Sequence, residues 1–172
     1  MAEIYWAARD LDGPPWGNHQ FILIYLDDSE NLLKTKAVEE SGKRFVTLGG
    51  HVSDGNLVFI ANQKADVDSV KEVINPKLSG WFSDYDLEKH KISAADGLNW
   101  SLALKIEQAA YNYEKNAGSS PVDYDLWDRN CATWVNSLLK SVGVSAADRK
   151  TAGEFNGIDW GEEDEISEDL FK

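Results

Sequence analysis

The sequence predicts an α+β fold: an antiparallel sheet drawn from the first half of the chain, packed on helices drawn from the second half. Three observations predict it. Short apolar runs rich in β-branched and aromatic residues, separated by turn-forming clusters, fill the region up to Ala61. Longer stretches with apolar residues at three- and four-residue spacing follow. The chain has 172 residues, 42% hydrophobic and 27% charged, which suits one globular domain; a chain of this length removes roughly two-thirds of its unfolded surface from water.

The strand candidates are residues 4–7, 21–26, 44–48 and 57–61. Residues 21–26 are apolar almost throughout, the pattern of a strand in the middle of a sheet. Turn signals lie between the runs: Asp27-Asp28-Ser29-Glu30, Ser41-Gly42 and Ser53-Asp54-Gly55-Asn56. This predicts an antiparallel meander, with Gly13-Pro14-Pro15-Trp16-Gly17-Asn18 as a stiff lead-in to the second strand. Three helices follow. Asp66 is placed to cap a short one carrying Val67, Val70 and Ile74, which Asn75-Pro76 stops. A longer helix over 94–116 carries Leu98, Leu102, Ile106, Ala109, Ala110 and Tyr113 on one stripe. The third starts near Asn130, carries Trp134, Val135, Leu138, Leu139 and Val142, and ends at Gly143. A single domain over 1–160 and an acidic tail over 161–172 are expected. The tail holds six carboxylates and one Lys, net −5 of the chain's −13; it reads as a frayed, solvated end or as a docking strip for a basic partner.

Charge and cysteine count narrow the function. Thirty acidic against seventeen basic residues repel phosphate backbones and anionic headgroups, so nucleic acid is not an expected partner. One Cys excludes an intrachain disulfide and a Cys-rich zinc cage. The first thirteen residues lack the basic segment and long apolar run of a Sec-type signal, and no apolar stretch is long enough to span a bilayer. A chain made in the cytoplasm, with no integral membrane segment, is expected; any export would use a machine that reads no such signal.

Cys131, after Asn130, opens the third helix, where free N–H groups and the positive end of the helix dipole favour thiolate over thiol. The alternative is a small buried residue on the face shared with Trp134, Val135 and Leu138. Thiol chemistry needs a base. His19 opens the apolar strand, and His51 follows the strand over 44–48 and Gly49-Gly50. If these strands are antiparallel neighbours, the two imidazoles meet at one edge of the sheet. His90, among Glu88, Lys89 and Lys91, reads as a surface residue. Gly49-Gly50 is not a phosphate loop, since no Lys-Ser/Thr or helix start follows it. No metal or cofactor is expected, because one Cys and no HExxH-type spacing give little basis for zinc. Residues 153–160 read as an aromatic plug over a core edge or a cleft wall.

A His at the head of an apolar strand, further strands, and only then an Asn-Cys opening a helix resembles the circularly permuted papain-like cysteine hydrolases of the NlpC type. In that group, which includes lecithin retinol acyltransferase-like proteins, the His strand precedes the Cys helix. The resemblance spans roughly 18–143 in layout and is carried by two short motifs. It implies a papain-like fold in permuted order, with Cys131 as nucleophile, His19 as base, and a third polar residue orienting His19. The matching region for that third residue is 47–51, and His51 is the side chain there best suited to an imidazole. The segment from Leu26 to Arg44 is longer than a tight hairpin, which leaves the register open.

The resemblance implies a cysteine amidase or endopeptidase acting on a peptide substrate, foremost peptidoglycan stem peptides. Chains of this size and type without a Sec signal are similar to toxin effectors that a contractile secretion system delivers to a target-cell periplasm, each with a cognate immunity protein. Two other readings stand beside it: an acyltransferase or thioesterase on the same fold, and a non-catalytic acidic interaction protein of the immunity type.

Overall fold

Residues 21–26 are apolar at every position except Tyr25 because the strand that carries them is covered on both faces. The structure, a computed structural model, describes residues 2–11, 18–76, 87–126, 129–155 and 165–172. Strand β2 (Asn18–Leu26) sends Phe21 and Leu23 to one face, where they pack with Val67 and Val70 of helix α1 (Lys64–Ile74). It sends Ile22 and Ile24 to the other, into a larger core shared with helices α2 (Asn99–Ala117) and α3 (Cys131–Ser141).

The sheet is antiparallel and six-stranded. Its remaining strands are β1 (Glu3–Asp10), β3 (Val38–Glu40), β4 (Lys43–Ser53), β5 (Asn56–Ala61) and β6 (Leu87–Ile92). Their order is β3-β4-β2-β1-β6, with β5 also paired to β4. The α+β class is therefore as the sequence predicts, but a plain meander is not what forms. β4 is eleven residues long and serves three partners, β2 along Arg44–Gly49, β3 along Lys43–Phe45 and β5 along Leu48–Ser53. β6 returns after α1 to pair with β1 at the far edge. Its charged residues hide it as a strand in sequence, yet they suit an edge. His90 is accordingly not a loose surface residue: on β6 it is half-buried, its Nδ1 lies 3.0 Å from the Ala152 carbonyl oxygen, and its ring stacks on Phe155 at 4.8 Å.

The long connection from β2 to β3 is held by a buried carboxylate. Glu107 of α2 accepts the N–H groups of Leu33, Lys34 and Thr35 at 2.7–2.9 Å, which replaces a tight turn with a clamped loop. Helix starts follow their caps. Asn130 caps α3, its Oδ1 accepting from the N–H groups of Ala132 and Thr133. α1 is capped by Gln63 rather than Asp66, which lies fully buried inside the first turn. α2 starts five residues later than expected, because Asn99 Oδ1 accepts the Ala94 N–H at 2.9 Å and ties the preceding residues into a turn. A fourth helix, α4 (Ala146–Gly153), packs against β6 and α3.

Residues 165–172 do not fray. Ile166 and Phe171 are buried, the Ile166 N–H donates to Ser137 Oγ at 2.8 Å, and Phe171 stacks on Tyr113 at 5.1 Å. Lys140 pairs with Glu165 and Glu168, countering the local repulsion. The lead-in over 12–17, residues 156–160 of the proposed plug and residues 161–164 of the acidic end lie outside the described residues. Among the described residues, no helix is long and apolar enough to cross a membrane.

Helix α3 approaches the sheet where β4 has no side chain. A Cβ on Gly50 would lie 2.7 Å from Cβ and Cγ of Trp134, which is itself fully buried and stacked on Phe59. Gly50→Ala is therefore expected to push α3 off the sheet and lower the unfolding free energy by about 1–3 kcal/mol in urea denaturation. Glu107→Ala, which strands three loop N–H groups, is expected to cost about 2–4 kcal/mol in the same measurement.

Candidate active site

Alternation along three strands builds one side of the site. Residues 9, 19 and 51 share the α1 face of the sheet with Ala7, Phe21 and Phe45. Arg9 is the register partner of His19. Continuing the Phe21–Gly49 pairing by two residues sets His19 against His51, and their ring centroids lie 4.4 Å apart. The expected meeting of these two imidazoles at one sheet edge is present.

Asp66 descends on them from α1. Its Oδ1 accepts the Arg9 Nε–H at 2.8 Å and lies 3.4 Å from His19 Nε2; its Oδ2 lies 3.3 Å from His51 Nε2. The two imidazole contacts have ion-pair distances but poor hydrogen-bond alignment, which leaves both Nε2 atoms and Oδ2 without a well-directed partner. Neither Asp66 nor Arg9 figured among the expected site residues. Aspartate at a helix start has a sufficient local explanation as a cap, which masks the one available signal: Asp66 is in phase with Val70 and Ile74, four and eight residues on, on the core-facing side of α1.

Cys131 arrives from the opposite layer. As the first residue of α3 it lies against the start of β2, where its Sγ accepts the Gln20 N–H at 3.4 Å and lies 3.8 Å from the Asn18 carbonyl oxygen. Gln20 is fixed from its other end, since its Oε1 accepts the Trp6 Nε1–H at 2.8 Å. Cys131 and Asp66 both act on the His19 ring. With Nε2 toward Asp66, the nitrogen left for Cys131 is Nδ1. The structure thus brings Cys131, His19 and His51 into one site and adds Asp66 and Arg9 to it. His90 lies elsewhere, against α4.

Gly49 explains the first half of the glycine pair. A Cβ there would stand 2.9 Å from His51 Nε2 and 3.4 Å from His19 Nε2, so only glycine leaves room where the two nitrogens converge.

The electrostatics favour an ion pair. Burial opposes charge on His19, but the Cys131 thiolate and the Asp66 carboxylate outweigh it and push the imidazole pKa up to about 9. Burial likewise opposes the thiolate, yet His19 and the N–H groups of Gln20 and Ala132 hold the Cys131 pKa below its ordinary value. Burial opposes the Asp66 carboxylate too, and the two imidazoles overcome it, holding its pKa well below the usual carboxylate range. His51 goes the other way: burial dominates and lowers its pKa, so the ring is neutral near pH 7. Arg9 against Asp66 and His19 against Cys131 then balance.

The sign of the pH dependence follows. Thiolate persists below the ordinary thiol range and is lost only as pH falls through the lowered Cys131 pKa; imidazolium is present below about 9 and lost above it. Iodoacetamide labelling of Cys131 is expected to be faster below the ordinary thiol range than that of an unpaired cysteine, and His19→Ala is expected to slow it at least about tenfold, because the charge that favours the thiolate is then gone. Equal rates in the two proteins would remove His19 from the thiolate's environment.

Comparison with family models, curated proteins and solved structures finds no match to this chain.

Proposed function

We propose that the chain is a cysteine hydrolase that cleaves an amide bond through a thioester, on a papain-like layout in permuted order. The observation that carries this reading is the run of contacts from Cys131 to His19 to Asp66: a thiol at a helix N-terminus, an imidazole beside it, and a buried carboxylate behind the imidazole. An inert, packed cysteine needs neither a neighbouring imidazole nor a carboxylate buried to orient it. The order of parts, a His strand ahead of the Cys helix, supports the permuted arrangement.

The chemistry balances on these groups. Cys131 Sγ attacks the carbonyl carbon, and charge gathers on the carbonyl oxygen near the positive end of α3. The C–N bond breaks as His19 passes its proton to the leaving amine, and a thioester remains. His19, now neutral, takes a proton from water; the hydroxide attacks the thioester, the C–S bond breaks, and the acid leaves. Asp66 does not touch the reacting atoms. It holds the His19 ring toward Cys131 and stabilises the imidazolium, and Arg9 fixes Asp66 in turn. His51 braces the other carboxylate oxygen and so acts on His19 through Asp66.

The substrate proposal is a peptidoglycan stem peptide, with delivery as an effector and a cognate immunity protein as partner. It rests on the resemblance in layout. Neutral or cationic peptides suit a chain of net charge −13 better than polyanions do.

Cys131→Ala and His19→Ala are each expected to abolish cleavage of purified muropeptides, read by chromatography, with the circular dichroism of the wild type retained. Asp66→Asn is expected to lower kcat by about 10²–10⁴-fold with a smaller change in KM, and to shift the alkaline limb of the kcat profile below its wild-type position near 9. Full activity in Cys131→Ala would refute the reading.

A further inference from the structure

Three buried polar atoms in the site converge without a well-aligned partner: His19 Nε2, His51 Nε2 and Asp66 Oδ2. One ligand atom from each of these residues lies within 4.8 Å of the others. Buried polar atoms are normally hydrogen-bonded, whereas these three meet their neighbours only in ion-pair contacts without hydrogen-bond alignment. Their spacing fits a specific visitor. In a tetrahedral zinc site with bonds of about 2.0–2.2 Å, nitrogen and oxygen ligands stand about 3.4 Å apart; here Asp66 Oδ2 lies 3.3 Å from His51 Nε2, and His19 Nε2 lies 3.4 Å from the other oxygen of the same carboxylate, Oδ1. Gly49 keeps the neighbouring space open, since a Cβ there would press on His51 Nε2 at 2.9 Å.

We propose that Zn²⁺ binds between His19 Nε2, His51 Nε2 and Asp66 Oδ2, and that the bound ion switches off the Cys131–His19 pair. Binding itself depends only on these three side chains; the inhibitory consequence rests on the cysteine-hydrolase reading. Two imidazoles and a carboxylate suit zinc, and the fourth position is open to water. A metal on Nε2 leaves Nδ1 as the only protonated ring nitrogen, aimed at Cys131. His19 then cannot accept the thiol proton, and its pull on Asp66 is exchanged for a metal bond. Arg9 on Oδ1 sets the strength. Its charge offsets the single carboxylate, so the ion is held reversibly rather than as a permanent part of the fold.

The test uses the full chain. Zn²⁺ is titrated into Cys131→Ser protein, which removes the thiol as a ligand, by calorimetry and by competition with a chromogenic chelator. One ion per chain is expected, weakened at least about tenfold by His51→Ala or Asp66→Asn and unchanged by His90→Ala. A second readout needs no site variant: Zn²⁺ should shift the ring ¹⁵N resonances of His19 and His51 and leave those of His90 in place. In the wild type, Zn²⁺ should slow iodoacetamide labelling of Cys131, with recovery on adding a chelator. Absence of binding, binding equal in all variants, or shifts confined to His90 would overturn the site. Binding with unchanged labelling would overturn the inhibitory role. Muropeptide cleavage by Cys131→Ala would overturn the hydrolase reading and leave the zinc titration untouched.

Discussion

A single carboxylate, fully buried in the first turn of α1, sets the terms for the rest of the molecule. An isolated ionised carboxylate out of water is too costly to survive folding; it must be paired or it takes up a proton. Asp66 is paired three times, by Arg9 from β1, His19 from β2 and His51 from β4. Three strand registers and the seat of α1 are therefore tied to one group. A slip of one residue in any strand would turn its partner side chain to the other face. The carboxylate that meets both imidazoles is in this way also a check on the assembly of the sheet.

The sheet itself works as a partition. Asp66 and the two imidazoles lie on the α1 side, whereas α3 packs on the opposite side through Trp134, Val135, Leu138 and Leu139. Cys131 reaches the imidazole because it stands at the very end of its helix, at the rim of β2. Consecutive residues of that strand serve opposite layers: His19 supplies its ring on one face, and Gln20 supplies its N–H to the sulfur while its amide holds Trp6 on the other. Gly49 and Gly50 do the same on β4, one making room for imidazoles and the next for Trp134. The glycine pair is a strand segment pared down on both faces.

Much of this was legible in sequence where the signal is local. The apolar run of β2, the Asn cap before Cys131 and the joint placement of His19 and His51 follow from pattern, capping chemistry and antiparallel register. What escaped is non-local. Asp66 resembles an ordinary cap until the strands opposite it are known, and Arg9 is one basic residue among seventeen. β6 carries Glu88, Lys89, His90 and Lys91, and only its place at the sheet edge makes them acceptable. The docking of the acidic end depends on Lys140 and Ser137, 25 and 29 residues before their partners, whereas the charge run itself points only to repulsion.

The distribution of site residues along the chain has a kinetic consequence. Arg9, His19, His51 and Asp66 belong to one contiguous sheet-and-helix unit, whereas the Gln20–Cys131 contact closes a separation of 111 residues. Contacts of such separation carry a large loop-closure entropy and tend to form late. Until α3 docks, Cys131 has no imidazole neighbour and behaves as an ordinary thiol, titrating near 8.5. Thiolate character is thus acquired with one of the longest-range contacts of folding, and the nascent or partly unfolded chain is shielded from its own most reactive atom.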